Sequence, residues 1–174
     1  GYLKNSIAFR SISLIARSVA SVPWTLYHQD TLIPAHPLLT LIDKVNPIQS
    51  RSTFFEALVS HYLISGNAFV EVISDNNTSL PLELYTLRPD RVEIVLNAQG
   101  EIRGYWYRVD GTERWIDYQG DEGNLLHLKS FNPTDDWYGL SVLTAVKPSI
   151  ELFDTVTLHN LSLLKNGGRP TGAL

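Results

Sequence analysis

From residue 82 to residue 129 the side chains alternate with a period of two, and no other feature of this 174-residue chain restricts its fold as much. Val92, Ile94 and Leu96 alternate with Glu93, Val95 and Asn97, and Gln99-Gly100 turns the chain into a second alternating run over 102–109. Successive side chains of a strand point to opposite faces, so alternation of this kind describes a half-buried sheet. Asp110-Gly111 is a hairpin signal, because a tight two-residue turn wants positive φ at both positions. Further strands are expected near 113–118 and 124–129. The result is an antiparallel meander that carries Tyr105, Trp106, Tyr107, Trp115 and Tyr118.

On either side the period changes to that of a helix. Ala8, Ile12, Ile15 and Val19 recur at intervals of four and three over 6–21, opposite a polar stripe of Arg10, Ser13, Arg17 and Ser21. Pro23 ends that helix, and 24–27 reads as a short strand. Pro37 suits the first turn of a short helix carrying Leu38, Leu41, Ile42 and Val45, which closes at Asn46-Pro47. Thr53 and Glu56 have the spacing of a capping box, with Phe55, Leu58, Val59 and Tyr62 along one face behind them. Gly66 is placed to stop this helix with positive φ, and Asn67 tolerates the turn into a strand over 68–73. Asp75-Asn76-Asn77 reads as a turn. Helices packed on a mainly antiparallel sheet make the class α+β, in a single domain over 1–174.

After the Asn132-Pro133 loop, Gly139 loosens the chain and Ser141 is a candidate N-cap for a long helix over 140–165. Pro148 predicts a kink or a late start, and Gly167 with Pro170 predicts the stop. Gly172 lets the final segment bend or pack closely. Leu152, Val156, His159 and Leu163 form one stripe of this helix, and Val142, Val146, Phe153, Leu161 and Leu164 form a broader second face. The charged residues within it are Lys147, Glu151, Asp154 and Lys165. Two apolar faces are one more than a surface helix needs, so one stripe is expected to pack within the subunit and part of the other to face a neighbouring subunit, with the first stripe as the candidate interface. The alternative is a helix central to its own domain. Burial decides between them.

The composition excludes several kinds of chemistry. The chain has no cysteine, so disulfides, thiolate metal sites and cysteine nucleophiles are absent. With 44% hydrophobic and 18% charged residues it has a globular balance, and no apolar run approaches the ~20 residues of a membrane span. A net charge of -4 argues against a broadly cationic DNA-coating surface. The charge is uneven: Lys4, Arg10 and Arg17 come before any carboxylate, whereas Asp110, Glu113, Asp117, Asp121, Glu122, Asp135 and Asp136 face only Arg114 and Lys129.

Among His28, His36, His61, His127 and His159 no two have metal-ligand spacing, and no P-loop, GxSxG or GxGxxG occurs. Asp135-Asp136 reads as a solvated pair rather than a cation site. Lys165-Asn166-Gly167-Gly168-Arg169-Pro170 follows a helix, whereas phosphate cradles open one. No cofactor and no metal are expected. Two other readings stay open. The meander aromatics could form a binding platform for a protein or a single-stranded nucleic acid. Alternatively, loop carboxylates such as Asp75, Asp110 and Asp135 could converge as a hydrolase site.

Five segments, in order, resemble the portal family of tailed phages that includes the HK97 portal. They are SIAFRSISLIARSVASVPWTLY, HPLLTLIDKVNPIQSRSTFFEALVSHYLISGNAFVEVI, LYTLRPDRVEIVLNAQGEIRGYWY, NLLHLKSFNPTDDWYGLSVLTAV and LKNGGRPTGAL. The opening segment resembles the family's initial helix and strand. The next is similar to its Asn-Pro, helix and Gly-Asn-Ala-aromatic strand. The others are similar to its Leu-x-Pro-x-x-Val segment, its His-Leu strand before a Gly-Leu-Ser helix start, and its Asn-Gly-x-x-Pro-x-Gly turn. Gly168, where alanine is commoner, and Pro148 depart from the pattern.

The resemblance implies a ring of twelve subunits at one capsid vertex. Such a ring is a conduit for double-stranded DNA without sequence preference, and a docking site for terminase, capsid and head-completion proteins. It implies location in the virion, and in the host cytoplasm during assembly, with no membrane partner and no enzymatic activity. This segment would be the early wing region of a longer subunit whose stem, clip and crown lie largely beyond it.

Overall fold

The computed structural model describes residues 5–75, 80–120, 123–165 and 167. In chain order the elements are α1 (Ser6–Ala20), β1 (Leu26–His28), β2 (Thr31–Ile33), α2 (Pro37–Asp43), α3 (Arg51–Ser65), β3 (Asn67–Ser74) and β4 (Pro81–Leu87). A 3-10 turn over Pro89–Arg91 leads to β5 (Val92–Leu96), β6 (Ile102–Val109), β7 (Thr112–Asp117), β8 (Leu125–Lys129) and α4 (Val142–Lys165). The class is α+β, with every sheet antiparallel.

The architecture is a stack of four layers. Helix α1 lies on α3, and α3 lies on one face of the sheet β4-β3-β8. The other face of that sheet packs against the sheet β5-β6-β7. Phe69, Leu87 and Leu125 from the first sheet meet Val92, Tyr105 and Ile116 from the second, all buried. Strand alternation sends the odd-numbered β3 side chains into this core and Val70 the other way, where it meets Val45 and Phe54. Burying a side chain of this size is worth roughly 1.5–3 kcal/mol. Glu71 adds a polar tie between the sheets: both its carboxylate oxygens accept from Arg114 on β7.

The structure departs from several expectations. The meander is three strands, not four, because β8 leaves it and pairs with β3, Phe69 opposite His127. The buried seam of α1 is Ile12, Ala16 and Ala20, while Ile15 and Val19 are exposed. Alanines let two helix axes approach closely, so Ala16 and Ala20 take the contact together with Ile12, while Ile15 and Val19 lie on the flanks. The N-cap of α3 is Ser50, whose Oγ accepts from the Thr53 amide. Thr53 is thus the third helical residue rather than a cap, and Glu56, a turn further on, pairs with Arg17. Helix α4 does not start late: it runs through Pro148. The missing N–H there leaves the Thr144 carbonyl without a helical donor. The short strand read over 24–27 gains a partner, β2, which makes a hairpin of this region. Pro170, Gly172, the Asn76-Asn77 part of the predicted turn, Asp121 and Glu122 lie outside the described residues.

Candidate functional site

Two regions stand out from the scaffold: the junction from which α4 departs, and the surface of α4 itself. The junction is built where α3 stops. Gly66 has φ 77° and its N–H bonds to the Tyr62 carbonyl, a left-handed stop that L side chains resist. Gly139 lies against it, so a Cβ on Gly66 would sit 2.6 Å from the Gly139 carbonyl carbon. Neither position has room for a side chain.

Asn67 fastens this contact. Its Oδ1 accepts from the Gly139 N–H at 2.8 Å, and its Nδ2 donates to the Ser65 and Gly139 carbonyls. His127 Nε2 lies 2.9 Å from the same Oδ1, which can only accept, so Nε2 carries the proton. The imidazole is stacked on Phe69 with ring centres 4.2 Å apart. Burial, aided by the Lys129 charge, pushes its pKa down to about 4, so it is neutral at neutral pH. Ser130 adds a hydroxyl bond to the Leu140 carbonyl. Ser141 Oγ accepts from the Leu143 N–H at the start of α4 and donates to the Ile64 carbonyl at the end of α3. Asn67 and His127 are 60 residues apart in the chain. The sequence offers no spacing signal for that pairing.

From this junction α4 runs past α3 and the start of α1. Asn5, the N-cap of α1, donates to Asp154. Between α1, α3 and α4 lies an apolar groove of about 430 Å³ lined by Ile7, Ile15, Leu63, Val146 and Phe153, among others. Contrary to the expectation that one stripe packs within the subunit, both faces of α4 are open to solvent in the single chain. Leu152 is 66% exposed and Val156 48%, His159 is exposed, and Leu163 is half-buried. Val142, Val146, Phe153, Leu161 and Leu164 are exposed as well. Gly167, just past the helix, has φ 65°.

The meander aromatics divide between the two faces of their sheet, and the loop carboxylates sit at separate turns. Trp106 and Trp115 meet edge to face at 5.0 Å on the outer face of β6 and β7, beside the ion pairs of Arg108 with Glu93 and Glu113. Tyr105 and Tyr107 belong to the inner face and its core. Asp75 follows β3, Asp110 turns between β6 and β7, and Asp135 caps its own loop by accepting from the Trp137 and Tyr138 amides. Those amide bonds hold the Asp135 carboxyl below the usual range. Among the described residues no cluster of three or more His, Asp or Glu is arranged to hold a metal, and no helix is long and apolar enough to cross a membrane.

The comparisons with known proteins agree with one another. A protein of Rickettsia bellii (strain RML369-C) is 36% identical over 176 residues, covering 99% of this chain and 45% of that protein. One of Rickettsia felis (strain ATCC VR-1525 / URRWXCal2) is 35% identical over 177 residues, with the same coverage. Among solved structures, a chain in the neck of an empty gene transfer agent particle computed with C6 symmetry superposes with a TM-score of 0.87 at 37% identity, covering 99% of this chain and 46% of that one. The neck of the native particle computed with C12 symmetry gives a TM-score of 0.82 at 36% identity, with 99% and 45% covered. The chain therefore spans less than half the length of these relatives. The family model for the phage portal protein matches residues 6–174, and with that match the chain belongs to the phage portal protein family.

Proposed function

We propose that this chain is part of a portal subunit, the early wing region of a longer protein that assembles as a dodecameric ring at one vertex of a phage-like capsid. Double-stranded DNA passes through such a ring without sequence-specific contact during packaging and ejection, and terminase, capsid and head-completion proteins dock on it. It resides in the virion after assembly in the host cytoplasm. The role is structural rather than enzymatic, in keeping with a fold whose polar networks are spent on holding elements together. The observation that carries this reading is the match to neck chains of a gene transfer agent over 99% of the chain.

Within that ring, the α4 stripe of Leu152, Val156, His159 and Leu163 faces a neighbouring subunit. Its solvent exposure in the single chain supports this, since apolar patches left open by a monomer mark contacts. Electron microscopy of the full-length protein tests the reading, with closed rings as the expected particles. Dispersed monomers at every concentration would overturn it. Salt-dependent affinity of this chain for short oligonucleotides would favour a nucleic-acid-binding module instead.

A further inference from the structure

A sheet edge presents unpaired N–H and C=O groups to any strand that can reach it, and proteins ordinarily block such edges. The two three-stranded sheets have their edges at β4, β8, β5 and β7, and all but β8 are blocked. On β4, the Leu84 N–H donates to the Val45 carbonyl at 2.7 Å, and its carbonyl accepts from Asn46 Nδ2 at 2.7 Å. On β5, the Ile94 N–H donates to the Tyr138 hydroxyl at 2.8 Å. Strand β7 carries Glu113, Arg114 and Asp117, charges that discourage pairing.

Strand β8 has one such device, Lys129 at its end, whose Nζ donates to the Asp136 carbonyl and lies over the Trp137 ring, and none along Leu125–Leu128. The Ser130 N–H bonds to the Gly66 carbonyl and the Val72 N–H to the Asn124 carbonyl, which sets the alternation of the ladder. By that alternation the backbone groups of Leu125, His127 and Lys129 point away from β3, and no described residue pairs with them. Leu126 and Leu128, both 47% exposed, flank this open edge. Leu128 borders a hollow of about 550 Å³ lined with Leu58, Val59 and Tyr62 of α3.

The same chain carries a strand donor. The hairpin β1–β2 has three residues per strand, its main contacts are within itself, and it is anchored at its base by Trp24 stacked on Phe55 of α3. Two strands of this length do not hold a sheet by themselves in water. Tyr27 and Leu32 lie directly opposite each other, so they share a face, and both are exposed. An apolar, alternating donor and an apolar, open acceptor on one molecule suit a head-to-tail contact, in which each copy gives a strand on one side and receives one on the other.

We propose that the β1–β2 hairpin of one copy adds to the free edge of β8 in the next copy, extending the sheet β4-β3-β8 across the subunit boundary. This rests on the ring reading above, since it is a closed ring that lets every hairpin find an edge.

These 174 residues contain no cysteine, and the parent full-length protein without the introduced pair serves as the control for any thiol elsewhere. In the full-length protein, Tyr27→Cys or Leu32→Cys is mixed with Leu126→Cys or Leu128→Cys and oxidised under assembly conditions. A disulfide between the two kinds of variant is expected, because cross-strand Cβ atoms lie about 4.5–5.5 Å apart. The hairpin variants touch no core and should fold. Amide exchange at Leu125, His127 and Lys129 should be fast in dilute monomer and slow by at least about tenfold on assembly. Intact rings with no such disulfide would overturn the strand addition and leave the ring reading standing. Slow exchange already in the monomer would overturn it too, since the subunit's own chain would then cover the edge. If neither rings nor disulfides form, both ideas fall.

Discussion

Asn67 uses both ends of its amide to join three separated pieces of chain: the end of α3, the loop before α4, and β8. Asn67→Ala leaves the Gly139 and His127 N–H groups without an acceptor, and a buried donor left unsatisfied costs about 1–3 kcal/mol. We predict a loss of about 2–4 kcal/mol in urea unfolding, with Asn67→Asp milder because it keeps both acceptor bonds. An alanine variant as stable as wild type would show that the junction is not a fastening. Gly66→Ala is expected to cost at least about 2 kcal/mol, from the left-handed conformation and from contact with Gly139. Gly66 was legible in the sequence because a helix-stop glycine announces itself locally. The true cap was not. Ser50 and Thr53 are both good cap residues, and the choice between them is made by Asn46, whose Oδ1 accepts from the Ile48 and Gln49 amides and folds the chain into a helix three residues early. Ser50→Ala should therefore cost ~1 kcal/mol and Thr53→Ala clearly less. Equal costs would argue against this placement.

At the scale of elements, local signals located helices and strands well but could not say which strands are neighbours. The alternation over 82–129 is present, yet nothing in the alternation of Leu125–Lys129 says that this strand pairs with β3 rather than with β7. That choice is made by Asn67 and His127 across 60 residues, and by Leu125 entering the core between the sheets. The apolar faces of α4 were legible as a surplus. Their partner was not, since a surplus shows only that something is uncovered. Beyond Asp154 almost every residue of α4 is exposed. A helical segment of about a dozen residues is marginal without packing. We predict that amides of 156–165 exchange rapidly in the isolated chain and slowly in rings. Leu152→Gln with Val156→Gln should change the isolated chain's stability by less than about 0.5 kcal/mol per site while lowering ring yield several-fold. A large loss of stability in the monomer would instead make this stripe part of its own core.

For the molecule as a whole, the α+β class followed from two periods met in sequence, whereas the four-layer order depends on which faces are small or large enough to pack. Part of the charge asymmetry seen in the sequence resolves into local pairs, Arg17 with Glu56 and Glu113 with Arg108, which contribute little individually. The isolated chain should sediment as a monomer or a weak oligomer, and a stable dodecamer from residues 1–174 alone would refute this.

Acid stability offers a further test that involves the whole fold. Burial lowers the pKa of His127 from 6.5 to about 4, and burial also lowers that of His61, assisted by Arg88. A base with a depressed folded pKa is neutral in the native state while the unfolded chain already takes up a proton. The unfolded state therefore binds more protons below pH 6.5, and stability falls as the pH drops from about 6.5 until the native His127 titrates near 4. The depressed carboxyls of Asp90 and Asp135 act in a lower window, since their unfolded values are 3.8. We predict a decline in denaturant midpoint between pH 6.5 and 4 that becomes shallower in His127→Gln, where an amide can still donate to Asn67 without taking a proton. If wild type and variant decline with the same slope, His127 is not held neutral by its burial at the junction.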